Sequence, residues 1–136
     1  MAKRLGIGFV GAGFMNRFHA QSLVGVRDCD VTGVFSPTRA HAESLAGMAR
    51  EIGVAGDVHL ASSVADLVAN PEVDALWIAT TNDTRIAVVE EIVDALKRGK
   101  GELAGIACEK PLARNLREAK RMVELIESVI RMDDLQ

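Results

Sequence analysis

The chain has 136 residues, of which 49% are hydrophobic and 26% charged, and its formal net charge is -3. This length provides one domain with a sizeable core and leaves no room for two. The weakly acidic balance argues against a nucleic-acid partner, and the sequence has neither a signal peptide nor a membrane-length apolar run, which predicts a cytoplasmic protein without membrane contact.

The first predicted unit, within residues 4–23, is a strand, a tight turn and a helix. Leu5, Ile7, Phe9 and Val10 form a short apolar strand that ends in a glycine-rich turn and leads into an amphipathic segment. Glycine there lets the backbone approach a ligand closely, and the N–H groups of the helix start face outward, a geometry that holds a pyrophosphate. We therefore predict cofactor contacts from Gly11, Ala12, Gly13, Phe14 and Met15.

Two registers of the G-x-G-x-x-G pattern overlap in this unit. Residues 6–11 match it fully but lie inside the strand, where no phosphate could reach them, whereas residues 11–16 lie at the strand-to-helix turn and end in Asn16 instead of glycine. The second register is preferred because the mechanism requires the turn. Since the third glycine normally allows close packing of the helix on the sheet, we expect the helix to stand slightly off the sheet, or Asn16 to contact ligand or water.

Further strands and helices alternate along the rest of the chain. Apolar or β-branched runs predict strands at 31–35, 57–60, 75–79 and 103–108, each followed by helical spacing of apolar residues. The side chains of the last helix that are predicted to face the core are Leu116, Ala119, Val123, Ile126 and Ile130. This alternation predicts an α/β fold of Rossmann type, a doubly wound parallel sheet in the order 3-2-1-4-5 within three α/β/α layers. Ligand would bind across the carboxyl ends of the strands.

The end of the second predicted strand decides which dinucleotide fits. An acidic side chain at this place binds the adenosine ribose of NAD, and counting along the chain would select Asp30. However, Asp30 precedes the strand and so lies at the opposite edge of the sheet, whereas Ser36 holds the relevant position, followed by Thr38 and Arg39 at a helix start. Hydroxyls and a guanidinium suit a 2′-phosphate, which predicts NADP as cofactor with NAD as the alternative. In a simpler interpretation Ser36 and Thr38 cap the helix and Arg39 is solvated, and both interpretations can hold together.

The two cysteines carry no predicted chemistry. Cys29 and Cys108 lie far apart in sequence and form no metal-ligand spacing with His19, His41 or His59, which predicts reduced structural thiols and no metal site. Cys108 is interpreted as a buried strand residue because no histidine is placed in sequence to activate it.

Three motifs, in order and spacing, give the chain a family resemblance. They are residues 11–15 with His19 further on, residues 78–82 after the fourth predicted strand, and the run Glu-Lys-Pro-Leu-Ala at 109–113 after the fifth. In these motifs the chain resembles the N-terminal half of the glucose-fructose oxidoreductase and inositol dehydrogenase (Gfo/Idh/MocA) family over nearly its whole length.

The chain departs from the family pattern at three single positions and in one loop. Asn16 stands for the usual glycine, Thr81 for the usual proline and Arg85 where histidine is common, and extra residues lie around 99–105. These differences bear on the substrate class and on the shape of the loops.

The resemblance implies hydride transfer between a nicotinamide cofactor and a sugar, polyol or related hydroxyl or carbonyl compound. It makes Lys110 the catalytic residue, since an ammonium beside the nicotinamide can hydrogen-bond the reacting oxygen and stabilise charge on it. For an arbitrary Glu-Lys-Pro a surface ion pair beside a rigid turn is the simpler interpretation, and the position on the ligand side argues against it here. The resemblance also suggests a cis Lys110–Pro111 bond and cofactor contacts from Thr80, Thr81, Asn82, Glu109, Lys110 and Pro111.

Residues 1–136 are thus predicted to form one dinucleotide-binding domain that binds cofactor but is inactive alone, because the family's C-terminal substrate domain is expected to be absent. The family's sixth strand would begin near 128–136, so we expect an open sheet edge and an uncovered apolar face that favour a homo-oligomer. Two other functions fit: a non-catalytic NADP-binding or regulatory module, and one half of an enzyme completed by another chain. A methyltransferase also uses a glycine-rich first turn, but it would need an acidic ribose contact where Ser36 stands.

Overall fold

The computed structural model describes residues 3–130, in which strands and helices alternate. The strands are Leu5–Val10 (β1), Cys29–Phe35 (β2), His59–Leu60 (β3), Ala75–Ile78 (β4) and Gly105–Cys108 (β5). The helices are Phe14–Ser22 (α1), Arg39–Glu51 (α2), Val64–Ala69 (α3), Arg85–Lys97 (α4) and Leu116–Glu127 (α5), and a short 3₁₀ turn at Leu23–Gly25 follows α1.

All strand pairs are parallel and the sheet order is 3-2-1-4-5, which confirms the predicted topology. The register places the carboxyl ends of four strands nearly level. Val10 lies opposite both Phe35 of β2 and Ile78 of β4, and Ile78 lies opposite Cys108 of β5. The residues that follow these strands therefore emerge along one edge of the sheet, which is called the carboxyl edge below.

The sheet is covered on both faces by two apolar clusters. Phe9 belongs to the cluster under α1 and α2, whereas its neighbour Val10 belongs to the cluster under α3, α4 and α5, and both side chains are fully buried. Successive strand residues point to opposite faces, so a strand buried at both positions needs helices on both sides. The three-layer prediction is confirmed. No helix among residues 3–130 is long and apolar enough to span a bilayer.

Local signals in the sequence set several helix ends. The Ser63 hydroxyl accepts a hydrogen bond from Asp66 N (2.9 Å) at the start of α3, and Asn115 Oδ1 accepts one from Glu118 N (2.9 Å) at the start of α5. Both satisfy a backbone N–H that has no partner inside its helix. Gly53 follows α2 with φ of 83°, the left-handed conformation that glycine adopts at low cost.

The second strand is longer than predicted. β2 begins at Cys29, so Asp30 lies in the strand rather than before it. Asp30 is still far from the carboxyl edge: it lies opposite Gly6 at the amino end of β1, and its carboxylate accepts hydrogen bonds from the Arg4 guanidinium at 2.7 and 3.1 Å. The reason for rejecting Asp30 as a ribose ligand therefore holds.

The predicted inward face of α5 is partly wrong. Leu116 is 69% exposed, Val123 48% and Ile130 41%, whereas the buried residues of α5 are Met122 and Leu125. The apolar stripe is wider than the contact with α4, because part of it faces a groove of about 760 Å³ beside the edge strand β5. The predicted start of a sixth strand falls mostly on residues 131–136, outside the described part of the chain.

Gly11 is the position at which we expect the fold to be least tolerant of a side chain. Its φ is 100°, and a Cβ there would lie 2.8 Å from Ala79 O, a backbone atom that cannot move aside. We predict that Gly11→Ala lowers the free energy of unfolding by about 1 to 3 kcal/mol, the usual cost of a strained backbone conformation. Denaturant titration measures it.

Gly47→Ala is the matched control, since Gly47 lies inside α2 with no atom within 4 Å of its Cβ position. In a helix interior this change should stabilise the chain by about 0.5 to 1 kcal/mol. Equal effects of the two substitutions would contradict the role given to the Gly11 turn.

Candidate functional site

The glycine-rich turn after β1 forms the centre of the carboxyl edge. Gly11 N donates a hydrogen bond to Phe35 O of β2 at 2.8 Å, and this tight turn leads to Gly13, the residue before α1. Among the described residues no side chain caps α1, and no atom lies within 4 Å of the Cβ position of Gly13, which is exposed. The first N–H groups of α1 therefore face open space, which fits a pyrophosphate. Ala12 is partly buried, whereas Phe14 and Met15 are exposed beside the turn.

Asn16 supports the turn from inside the protein. Its side chain is fully buried, and Nδ2 donates hydrogen bonds to Val10 O (3.0 Å) and Gly11 O (2.7 Å). Its Oδ1 has no hydrogen-bond partner among residues 3–130. Nδ2 gives Asn16 a structural role, because it ties α1 to the end of β1. The expected contact of this side chain with ligand or water stays a prediction.

The adenosine end of the predicted site follows β2. Ser36 Oγ accepts a hydrogen bond from Thr38 N at 3.2 Å, whereas Thr38 makes no side-chain cap for α2. Arg39 is exposed, and its Nε lies 3.4 Å from Glu43 Oε1. The simpler interpretation of these residues thus holds in part, because Ser36 supports the local turn. A groove of about 330 Å³ lies here between the ends of β2 and β3, with Ser36, Arg39 and Ser62 in its wall.

The nicotinamide end of the predicted site follows β5. Glu109 N donates to Ile78 O at 2.9 Å, and the Lys110–Pro111 bond is cis. The Lys110 side chain is exposed and forms no hydrogen bond or ion pair with another residue of 3–130. The simpler interpretation, a surface ion pair of Glu109 with Lys110, is therefore not found in the described part of the chain.

Glu109 instead pairs with His19 of α1, a contact that sequence reasoning missed. Its Oε1 lies 2.5 Å from His19 Nε2, and this hydrogen bond lowers the pKa of the Glu109 carboxyl. The His19 ring also lies against Trp77 of β4, with ring centroids 4.3 Å apart. The two partners are 90 residues apart in sequence, so the available signal was that both belong to motifs predicted to meet at the same edge.

Arg85, also missed, joins the two loops that follow β4 and β5. Its guanidinium donates hydrogen bonds to Thr80 O, Glu109 O and Pro111 O, and the side chain is 5% exposed. The Thr80 carbonyl is therefore occupied by protein, whereas Thr81 is exposed and Asn82 partly buried in the same turn.

Cys29 lies away from this constellation, whereas Cys108 borders it, with Sγ 3.7 Å from Glu109 O. Cys29 is buried at the amino end of β2, and Cys108 is partly buried at the end of β5. Burial raises the pKa of both thiols, which disfavours a nucleophilic thiolate. No cluster of His, Cys, Asp and Glu in the described range could hold a metal ion.

Known proteins share both the sequence pattern and the fold. The family model described as "Oxidoreductase family, NAD-binding Rossmann fold" matches residues 5–132. The 1,5-anhydro-D-fructose reductase of Ensifer adhaerens is 34% identical over 116 residues, which cover 85% of this chain and 31% of that protein. The inositol 2-dehydrogenase of Acidothermus cellulolyticus is 32% identical over 119 residues, with 87% of this chain and 31% of that protein covered.

Solved structures agree on the fold. The myo-inositol dehydrogenase of Lactobacillus casei in complex with NAD(H) and myo-inositol superposes with a TM-score of 0.73 at 24% identity, covering 92% of this chain and 34% of that one. The UDP-N-acetylglucosamine 3-dehydrogenase GnnA of Acidithiobacillus ferrooxidans gives a TM-score of 0.71 at 26% identity, covering 94% and 36%.

The chain spans about a third of the length of the relatives it matches. Within that length it contains the glycine-rich turn, the turn after β4 and the Glu-Lys-Pro motif, all at the carboxyl edge of a parallel sheet. It belongs to the Gfo/Idh/MocA family of oxidoreductases and forms that family's NAD-binding Rossmann domain.

Proposed function

We propose that this chain is the NADP-preferring nucleotide-binding domain of an oxidoreductase that acts on a CH–OH or carbonyl group of a sugar, polyol or related compound. The observation that carries the proposal is the meeting of residues 11–15, 80–82 and 109–111 at one edge of the sheet, with an uncapped helix N-terminus between them. The names of the relatives, a reductase of 1,5-anhydro-D-fructose and an inositol 2-dehydrogenase, support the substrate class. A cytoplasmic location stays a prediction from the sequence.

The nicotinamide dinucleotide would lie along the carboxyl edge and supply the hydride chemistry. The N–H groups at the start of α1 would bind the pyrophosphate, because no side chain competes for them. The turn at 80–82 and Glu109 would border the nicotinamide. Ser36, Thr38 and Arg39 would bind the adenosine end.

Lys110 would donate a hydrogen bond to the reacting oxygen. Its ammonium is exposed, and the neighbouring Glu109 carboxylate is engaged by His19 at 2.5 Å. Because His19 holds the carboxylate and the Lys110 side chain forms no ion pair within residues 3–130, the ammonium can turn toward a substrate and stabilise negative charge on its oxygen.

The preference for NADP rests on charge at the end of β2. A carboxylate at this position would bind the ribose of NAD and repel a 2′-phosphate, but the position holds Ser36, and Asp30 is bound to Arg4 at the other edge. Within residues 3–130 the one ion pair of Arg39 is with Glu43, at 3.4 Å and on an exposed surface, so its guanidinium can turn to a phosphate at little cost.

Arg39→Ala should weaken NADP binding by roughly 1 to 3 kcal/mol, the range of a charge-assisted hydrogen bond, and leave NAD binding nearly unchanged. Titration calorimetry with both cofactors measures the difference. Arg50→Ala is the control, because Arg50 is an exposed arginine at the other end of the same helix. An equal loss for both cofactors would refute the assignment.

The 136-residue chain alone should bind cofactor without turning over any sugar or polyol at a measurable rate. Lys110 is open to solvent, and hydride transfer also needs a held substrate, a proton donor or acceptor and exclusion of water. Positioning of this kind accounts for roughly 7 to 11 kcal/mol of barrier lowering, which a lone ammonium cannot replace.

A panel of polyols and sugars, followed by absorbance of the reduced nicotinamide, tests this prediction. Oxidation by the purified chain that Lys110→Ala abolishes would overturn it. If a supplied partner chain or domain restores turnover, the chain is half of an enzyme. If the chain binds cofactor but such a partner does not restore turnover, the result favours the alternative of a regulatory NADP-binding module.

We also propose that two copies of the chain associate through the groove beside β5. The strand is at the sheet edge, and the exposed apolar side chains of Leu112, Val123 and Ile130 line the groove with it. An unpaired edge next to exposed apolar area favours pairing with a second chain.

Val123→Lys should therefore shift the chain toward monomer in light scattering at high protein concentration, because the ammonium would be buried in the interface. Val24→Lys serves as the control, since Val24 is 65% exposed in the turn after α1, on the opposite face of the sheet. A wild-type chain that stays monomeric would rule out this interface.

A further inference from the structure

Arg85 is in an unfavourable electrostatic position for two reasons, the helix dipole and the lack of a counter-charge. It is the first residue of α4, where the helix dipole is positive, and it is 5% exposed. It forms no ion pair with any carboxylate in residues 3–130. A buried cation at the positive end of a helix without a counter-charge is unfavourable, and such violations concentrate at functional sites.

Backbone carbonyls take the place of the missing counter-charge. Nε and Nη2 of Arg85 donate to Thr80 O at 3.0 and 2.8 Å, while Nη1 donates to Glu109 O at 2.5 Å and to Pro111 O. Nearly all the N–H donors of the guanidinium are used in this way. The planar fork thus joins the turn after β4 to the loop after β5.

Lys110 is the residue between the two carbonyls that the fork holds. Since Glu109 O and Pro111 O lie immediately before and after it, fixing both determines where the Lys110 backbone can lie relative to Thr80. The Lys110 side chain makes no contact of its own that would do so within the described range. A histidine here would have one N–H donor in its neutral imidazole, too few to hold all three carbonyls.

We propose that Arg85 is a positioning residue for Lys110, which it fixes to the turn after β4 by bracketing it with hydrogen bonds to the carbonyls on either side. Only the expected effect on cofactor binding rests on the proposed function; the effect on the Lys110 backbone does not. Arg85 acts between β4 and β5, at the nicotinamide end of the carboxyl edge, whereas Ser36 and Arg39 act at the end of β2. Loss of the fork should therefore affect one half of the dinucleotide and spare the other.

The first experiment measures the backbone of the 136-residue chain without ligand. In Arg85→Gln, the amide order parameter of Lys110 from ¹⁵N relaxation should fall from about 0.85 to below about 0.6, the change from a rigid to a flexible backbone. The amides of β1 should keep their values. Arg85→Lys, which keeps the charge but loses the fork, should fall between the two, and it serves as the second variant if Arg85→Gln does not fold.

The control is Arg98→Ala at the C-terminal end of the same helix, since Arg98 is exposed and pairs with Asp94 at 3.2 Å. It should leave the order parameter of Lys110 unchanged. A rigid Lys110 in both Arg85 variants would overturn the proposal.

The second experiment separates positioning from a general structural role. In Arg85→Gln, NADPH should bind about tenfold more weakly, whereas 2′,5′-ADP, which carries only the adenosine half, should stay within about twofold of the wild-type affinity. An equal loss for both ligands, or no loss of NADPH affinity, would contradict it. If the wild-type chain binds neither ligand, the proposed function fails, and the relaxation measurement still decides the role of Arg85.

Discussion

The loops that follow the strands at the carboxyl edge contain backbone carbonyls that need hydrogen-bond donors. Two buried side chains supply these donors. Asn16 binds the carbonyls of Val10 and Gly11, and Arg85 binds those of Thr80, Glu109 and Pro111. A buried carbonyl without a donor costs about 1 to 3 kcal/mol, so each of these side chains holds a loop that would otherwise turn toward water. The site thus depends on polar contacts inside the protein as much as on the residues that face a ligand.

These donors divide the site into parts with different degrees of order. The glycine turn is held by Asn16 and by the bond from Gly11 N to Phe35 O, and the loop after β5 is held by Arg85 and by the pair of Glu109 with His19. At the proposed adenosine end the described residues offer the Ser36 turn and the exposed Arg39. Pyrophosphate and nicotinamide would therefore meet a prepared surface, whereas the 2′-phosphate would be met by a side chain that must still be ordered.

The sequence predicted the strand order, the choice of glycine register and the distance of Asp30 from the site, because each follows from strand and turn periodicity. The pairing of His19 with Glu109 was out of reach, since it depends on side-chain directions at two loops 90 residues apart. Arg85 was noted only as a departure from the family pattern. Its burial was not predicted, because a charged side chain at a helix start normally points to solvent. The predicted inward face of α5 was partly wrong, because periodicity predicts an apolar stripe but not which part of that stripe packs against another element.

The contact between His19 and Trp77 places an intrinsic fluorophore beside the candidate site. Trp77 is the only tryptophan in the sequence, and the chain has no tyrosine. Its ring centroid lies 4.3 Å from that of the imidazole that holds Glu109, so the tryptophan fluorescence of the 136-residue chain comes from one indole beside the Glu-Lys-Pro loop. Reduced nicotinamide absorbs where tryptophan emits, and events at this end of the carboxyl edge can therefore be followed by light without any added label.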